Sequence, residues 1–119
     1  MKAKKPTNFL RSYRLRWGLS QIELAHLLGW RRPEIISRIE KKQRAPSLKL
    51  VIGCFVLFGT SPGDLFPYLT RTIEAEVMTR VQGMYERIEG NPSKRTKAQL
   101  EMLHDAIQRA EKRNHHPHV

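Results

Sequence analysis

The stretch from Gln21 to Glu40 restricts the fold more than any other part of this sequence, because it has the pattern of two short helices joined by a tight turn. Ser20 and Glu23 form the Ser-x-x-Glu capping box that begins a helix, and Gly29 is suited to end that helix. Pro33 fits the first position of the next helix, where a missing N–H costs no hydrogen bond. Two helices this short do not bury their apolar faces alone, so flanking helices must complete a core.

The apolar residues of this stretch predict how its two helices pack. Leu24, Leu27 and Leu28 form an apolar stripe on the first helix. Ile36 and Ile39 lie three positions apart on the second helix and form an apolar edge. We expect these five side chains to meet between the helices, with the charged residues of the second helix on its opposite face.

Five short motifs follow one another along the first half of the chain: Leu19-Ser20-Gln21, Glu23-Leu24-Ala25, Leu28-Gly29, Ser37-Arg38-Ile39-Glu40 and Pro46-Ser47-Leu48. Together they resemble the phage Cro/repressor type helix-turn-helix, the Xre family, over roughly residues 7–66. The resemblance implies an all-α fold in which residues 1–68 form a five-helix lambda-repressor-like DNA-binding domain. It stops near Pro67, and residues 69–119 are expected to form a two-helix C-terminal extension.

This chain departs from the family pattern in the turn, which has one residue more than in most family members. Without an inserted residue, the apolar positions of the second helix would fall on Ile35 and Arg38, and an arginine would face the core. A shift by one position places Ile36 and Ile39 there instead. We therefore place the extra residue in the turn, around residues 30–31.

The charge of the chain is concentrated in its first part. The formal net charge is +11 and the isoelectric point is near 10.4. Residues 1–68 contain 13 Lys and Arg against 4 Asp and Glu, a net of +9, whereas residues 69–119 contain 9 against 7, a net of +2. A polyanionic partner is therefore expected to bind the first part of the chain.

The resemblance also implies which residues meet DNA, because the second helix of the pair lies in the major groove in this family. The candidates for base or near-base contact are Arg31, Arg32, Glu34, Ser37 and Arg38. Arginine donates two hydrogen bonds to guanine, and glutamate accepts one from cytosine. Two other roles stay open, since Glu34 would also complement the helix dipole and Arg31 or Arg32 would also bind phosphate alone.

The residues expected to contact DNA phosphates lie at the start of the first helix and just after the second. They are Gln21, Lys41, Lys42, Gln43 and Arg44. In a member of the family, the side chain matching Gln21 holds a backbone phosphate at the N-terminus of its helix, and the family's connector follows the phosphates. The alternative for the connector is a solvated basic loop.

One pair of residues is expected to be structural. Arg14 and Glu40 match the family positions that bridge the first helix to the end of the third, which holds the DNA-reading helix against the rest of the domain. An exposed pair would contribute little to stability, but a partly buried pair would be costly to break on one side.

Two more helices complete the predicted domain. Ser47 is expected to cap a fourth helix, which is apolar nearly all round, and Ser61-Pro62 begins one turn of helix that ends at Phe66. Most of the fourth helix is expected to be core, through five residues: Leu48, Val51, Ile52, Phe55 and Phe58.

The C-terminal extension has two segments of helical periodicity, which brings the expected number of helices to seven, without a strand. Gly90-Asn91-Pro92 separates the two segments, and Thr96 with Gln99 forms a capping box for the second. The apolar stripes of this pair need a cover. Three covers stay open, namely the chain's own domain, a second copy in a homodimer, and another protein.

Several classes of protein are disfavoured by what the sequence lacks. The single cysteine, Cys54, has no disulfide partner and indicates a reducing compartment. We find no phosphate-binding glycine loop and no catalytic motif, so neither an enzyme nor a cofactor is expected. The histidines at 115, 116 and 118 lack metal-ligand spacing. Without a long apolar run or a signal-peptide core, a cytoplasmic protein that does not contact membranes is expected.

These features favour a sequence-specific double-stranded DNA-binding transcriptional regulator, a repressor that binds a two-fold operator as a homodimer. The competing hypothesis is an antitoxin-like protein, which neutralises a partner protein through its C-terminal helices and regulates its own synthesis by binding DNA. A non-specific binder of RNA or chromosomal DNA is a third hypothesis, since charge alone would serve it.

Overall fold

Seven helices and no strand make up the part of the chain that the structure, a computed structural model, describes, namely residues 8–90 and 93–115. They are α1 (Leu10–Arg16), α2 (Gln21–Leu27), α3 (Glu34–Glu40), α4 (Leu48–Phe58), α5 (Pro62–Leu65), α6 (Pro67–Ile88) and α7 (Lys94–His115). The all-α prediction is confirmed. The Asn91-Pro92 break and the tail histidines at 116 and 118 lie outside the described residues.

Serine side chains begin three of the helices in the first part of the chain. At α2, Ser20 Oγ accepts a hydrogen bond from the Glu23 backbone N–H at 3.1 Å, and Glu23 Oε1 accepts one from the Ser20 N–H at 2.8 Å. Ser61 and Asp64 form the same reciprocal box at α5, and Ser47 caps α4. These bonds to Ser20 hold the pKa of the Glu23 carboxyl below its usual value of 4.5, the backbone N–H contributing most. The predicted caps of these three helices are confirmed.

The core of the first five helices confirms the register of α3. Ile36 is 0% exposed and Ile39 is 1% exposed, so the extra residue lies before them in the turn. The full set of buried apolar residues in this core is Leu10, Leu24, Ala25, Leu28, Ile36, Ile39, Leu50, Cys54, Leu65 and Phe66. The prediction for Leu27 is wrong, since it is 52% exposed. Leu24 and Leu28 are four positions apart on one face of the helix, whereas Leu27 lies about 100° around from Leu28.

The predicted core face of α4 is wrong for three of its five residues. Leu48, Ile52 and Phe55 are 73%, 53% and 61% exposed, while Val51 and Phe58 are half-buried. A helix that is apolar nearly all round has no polar face to mark the side toward solvent. Its orientation is therefore decided by packing against the other helices.

The face of α4 that does turn inward carries Leu50 and Cys54, both 0% exposed. Burial raises the pKa of the Cys54 thiol to about 11. On the same helix, a Cβ at Gly53 would overlap Cδ2 of Leu28, the residue that follows α2. The missing side chain of Gly53 therefore allows α4 to approach the end of α2 closely.

We expect Gly53→Val to lower the free energy of unfolding by about 1–3 kcal/mol, because added volume in a filled core forces neighbours off their preferred rotamers. Urea denaturation followed by circular dichroism measures the change. Gly83→Ala is the matched control within α6, since its Cβ would meet only Arg87 Nη1, at 3.8 Å. The control should be neutral or more stable by about 0.5–1 kcal/mol. Equal stability of Gly53→Val and the wild type would contradict the close approach.

The chain divides into two compact units between Arg71 and Thr72, three residues after the boundary predicted at residue 68.

In the second unit, α7 begins at Lys94 because Ser93 Oγ accepts a hydrogen bond from the Thr96 backbone N–H at 3.1 Å. The predicted cap at Thr96 is therefore wrong by three residues. No helix among the described residues combines the length and the apolarity that a membrane span requires.

Candidate nucleic-acid interface

The helix α3 is amphipathic over its seven residues. Ile36 and Ile39 lie on its buried face, whereas Glu34 and Arg38, four positions apart, are exposed on the opposite face. Ser37, at the edge between the two faces, is partly buried. One face of α3 is therefore held by the core, and the other presents a carboxylate and a guanidinium to solvent.

Two exposed arginines, Arg31 and Arg32, lie in the turn that leads into α3. Gly29 begins this turn with φ +82°, a backbone conformation that favours glycine, and the Trp30 N–H donates back to the Ala25 carbonyl at 2.8 Å. Pro33 occupies the N-cap position without a capping side-chain hydrogen bond, so the helix begins at Glu34, one residue later than predicted. The turn places both arginines at the N-terminal end of α3.

The connector Lys41–Arg44 follows α3 and is exposed at all four residues. It reverses the chain through hydrogen bonds from the Lys42 N–H to the Ile39 carbonyl at 3.1 Å and from the Gln43 N–H to the Arg38 carbonyl at 2.8 Å. Lys42 adopts φ +67° here. In this conformation a non-glycine residue is less favourable than glycine by about 1–2 kcal/mol, so the backbone is strained at Lys42.

A buried network joins α3 to the first two helices. Arg14 Nε donates to Glu40 Oε2 at 2.7 Å and Arg14 Nη2 donates to Glu40 Oε1 at 3.1 Å, with side-chain exposures of 7% and 4%. Arg14 Nη1 donates to the Leu19 carbonyl at 2.8 Å. Gln21 Nε2 also donates to Glu40 Oε1, at 3.1 Å. The C-terminal end of α3 is thereby tied to α1, to the loop after it and to the first residue of α2.

Gln21 makes a hydrogen bond within the protein, in addition to the phosphate contact that the resemblance leads us to expect. Its amide nitrogen bonds Glu40, and its side chain is partly buried at the start of α2. Gln21 therefore connects the end of α2 nearest the predicted phosphate site to the end of α3.

Two residues that the sequence analysis did not single out also support this surface. Asn8 Nδ2 donates to the Ile39 carbonyl at 3.0 Å, near the end of α3. Lys49 Nζ lies 5.7 Å from the centroid of the Trp30 ring, beside the turn before α3. No local sequence pattern predicts the Asn8 hydrogen bond, because its acceptor is 31 positions away. The contact of Lys49 with Trp30 could have been suggested only by the presence of a cation at the second position of α4.

The charges of residues 31–44 are strongly unbalanced. This segment contains six Lys and Arg against two acidic residues. Glu40 is buried against Arg14, so Glu34 is the only exposed carboxylate within the segment. The surface formed by the turn, α3 and the connector therefore attracts a polyanion.

The first five helices match a known protein family. The helix-turn-helix family model matches residues 10–65, which run from the first residue of α1 to the last residue of α5. This match confirms the resemblance to the Cro/repressor type. Searches of the curated proteins and of the solved structures give no significant match. The matched segment contains α3, the turn before it, the connector after it and the buried network.

Proposed function

We propose that this chain, whose residues 10–65 belong to the Cro/C1-type helix-turn-helix family, represses transcription by binding a specific double-stranded DNA sequence. The family is one of DNA-binding transcription regulators. The proposal that binding is sequence-specific rests on the fixed orientation of α3. One face of this helix lies in the core, and its C-terminal end is held by the buried Arg14–Glu40 pair. A rigid helix that offers both a cation and a carboxylate is suited to reading base edges in the major groove.

In the proposed complex, α3 lies in the major groove and Arg38 bonds a guanine twice. Glu34, on the same face, accepts from a cytosine amino group. Arg31, Arg32 and Ser37 contact bases or the sugar-phosphate backbone beside them. The phosphate contacts come from Gln21, Lys41, Lys42, Gln43 and Arg44. Base contacts select the sequence, and phosphate contacts set the register of the protein on the duplex.

Repression follows from occupancy, because a protein bound across a promoter excludes the polymerase from it. We propose that a homodimer binds an operator with two-fold symmetry. Its two α3 helices would then enter successive major grooves on one side of the duplex, about 34 Å apart.

Selection of bound sequences from a random duplex library, at about physiological salt, tests this proposal. We expect a recurring two-fold motif. Arg38→Ala should lose about 1–3 kcal/mol of discrimination at one base pair of each half-site, whereas Lys41→Gln should weaken binding to all sequences alike. A library without enriched sequences would refute sequence-specific regulation and leave a non-specific polyanion binder.

A second candidate function rests on the exposed apolar residues of α6. Ile73 and Val77, four positions apart on this helix, are each 50% exposed. An apolar helix edge of this kind suits an antitoxin-like protein that binds a second protein through its C-terminal unit. Ile73→Asp would then abolish neutralisation of the toxin by the chain while leaving operator binding unchanged. A simple repressor would show neither a toxic partner nor an effect of this substitution.

A further inference from the structure

The outer face of α4 carries four large apolar side chains that the core does not use. Leu48, Ile52, Phe55 and Val56 are 73%, 53%, 61% and 74% exposed. At positions i, i+4, i+7 and i+8 they lie along one face of the helix, and none of them is ionisable. We call these four residues the α4 stripe.

The stripe is unusual because the opposite face of α4 is already packed. Leu50 and Cys54 are both 0% exposed there, so α4 is apolar on the side toward the core and on the side toward solvent. A helix that is hydrophobic all round is normally covered on all sides. A contiguous exposed apolar patch of this size usually marks an interaction site.

We infer that the α4 stripe binds the same stripe of a second copy of this chain. A two-fold interface places one patch against itself, and a uniformly apolar patch is complementary to itself without any matching of charges. Residues 1–68 carry a net charge of +9, which opposes association of two copies through their charged surfaces. The four side chains of the stripe carry no charge, so contact between two stripes does not place one ionisable stripe residue against another.

The area of the stripe is close to the smallest area that a specific dimer needs. Four side chains of this size and exposure present on the order of 500 Å² of apolar surface. Two copies would therefore bury about 1,000 Å² in total, which is near the lower limit for a specific interface. The inference rests on the proposed function, because a dimer formed through the stripe would bind the two halves of one operator.

The spacing of the stripe predicts which residues meet. Ile52 lies four positions after Leu48 and three before Phe55, so it is at the centre of the stripe. When two α4 helices pack antiparallel about a two-fold axis, Ile52 lies beside the Ile52 of the second copy. Leu48, four positions before Ile52, then lies opposite Val56 of the second copy, four positions after it.

Sedimentation equilibrium of the full chain without DNA tests the interface. The wild type should approach twice the monomer mass of 13.9 kDa as concentration rises, and Ile52→Asp should stay at 13.9 kDa. Leu15→Asp, in α1, is the matched control, since Leu15 is 49% exposed and Ile52 is 53% exposed. This control should dimerise like the wild type. A wild type that stays monomeric, or a dimer that Ile52→Asp leaves intact, would overturn the inference. The second result would mean that the dimer forms through another surface of the chain.

Cysteine crosslinking provides a test that does not depend on whether the folded protein tolerates an aspartate at position 52. Under mild oxidation, Ile52→Cys should form a covalent dimer, whereas Leu15→Cys and the wild type should not. The native Cys54 is 0% exposed and serves as the internal control. Failure of Ile52→Cys to crosslink would overturn the inference. Both assays omit DNA, so failure of the operator selection would refute the proposed function without changing either result.

Discussion

Replacing Arg14 by methionine is expected to lower the free energy of unfolding by about 3–5 kcal/mol. The Glu40 side chain is only 4% exposed, so the substitution leaves a buried carboxylate without its charged partner. A domain of this size is stable by only about 3–9 kcal/mol, which means that the variant should be partly or largely unfolded near room temperature. Urea denaturation followed by circular dichroism, together with the melting temperature, measures the loss.

The double variant Arg14→Met with Glu40→Leu is the control for this prediction. It removes both charges, so it should be more stable than Arg14→Met alone, although Gln21 loses its acceptor in both proteins. A double variant that is as unstable as the sum of the two single variants would show that the pair is not coupled. An Arg14→Ala protein with unchanged melting temperature and DNA affinity would refute the structural role of the pair.

The affinity for DNA is expected to fall roughly 10³- to 10⁵-fold between 50 and 200 mM salt, if the dimer contacts six to ten phosphates as we propose. The reason is that each phosphate neutralised by a lysine or arginine releases a condensed counterion, and added salt opposes this release. Fluorescence anisotropy of a labelled operator, measured over a series of salt concentrations, gives the slope of log affinity against log salt.

Single charge variants show where these contacts lie. Arg44→Gln, in the exposed connector after α3, should reduce the salt slope by about one for each copy bound. Lys94→Gln, at the start of α7, removes the same charge from the second unit and should leave the slope unchanged. A slope that does not differ between wild type and Arg44→Gln would place the phosphate contacts elsewhere. A nearly flat salt dependence in the wild type would contradict a phosphate-based interface altogether.

The sequence predicted most reliably the features whose determinants are close together in the chain. The capping box at Ser20 needs only Glu23, three positions later, and the helix start at Ser61-Pro62 needs only adjacent residues; both are present. The register of α3 was predicted because an arginine at position 38 is costly to bury, and this left Ile36 and Ile39 as the core positions. Where two caps were available, as at Ser93 and Thr96, the local pattern did not decide between them, and the helix begins after Ser93.

By itself, the sequence determined the pair α2 and α3, the turn between them and the identity of its exposed basic residues, because caps, glycine and apolar spacing mark them locally. The five-helix arrangement followed from the resemblance of the motifs to a known family. Tertiary structure alone decided which face of α4 is buried, since this helix is apolar nearly all round and its packing against the other helices, including the close approach at Gly53, places Leu50 and Cys54 in the core. It also decided that Gln21 and Asn8 bond to the last turn of α3. These contacts join residues 19 and 31 positions apart, and such pairs are brought together only when the helices pack.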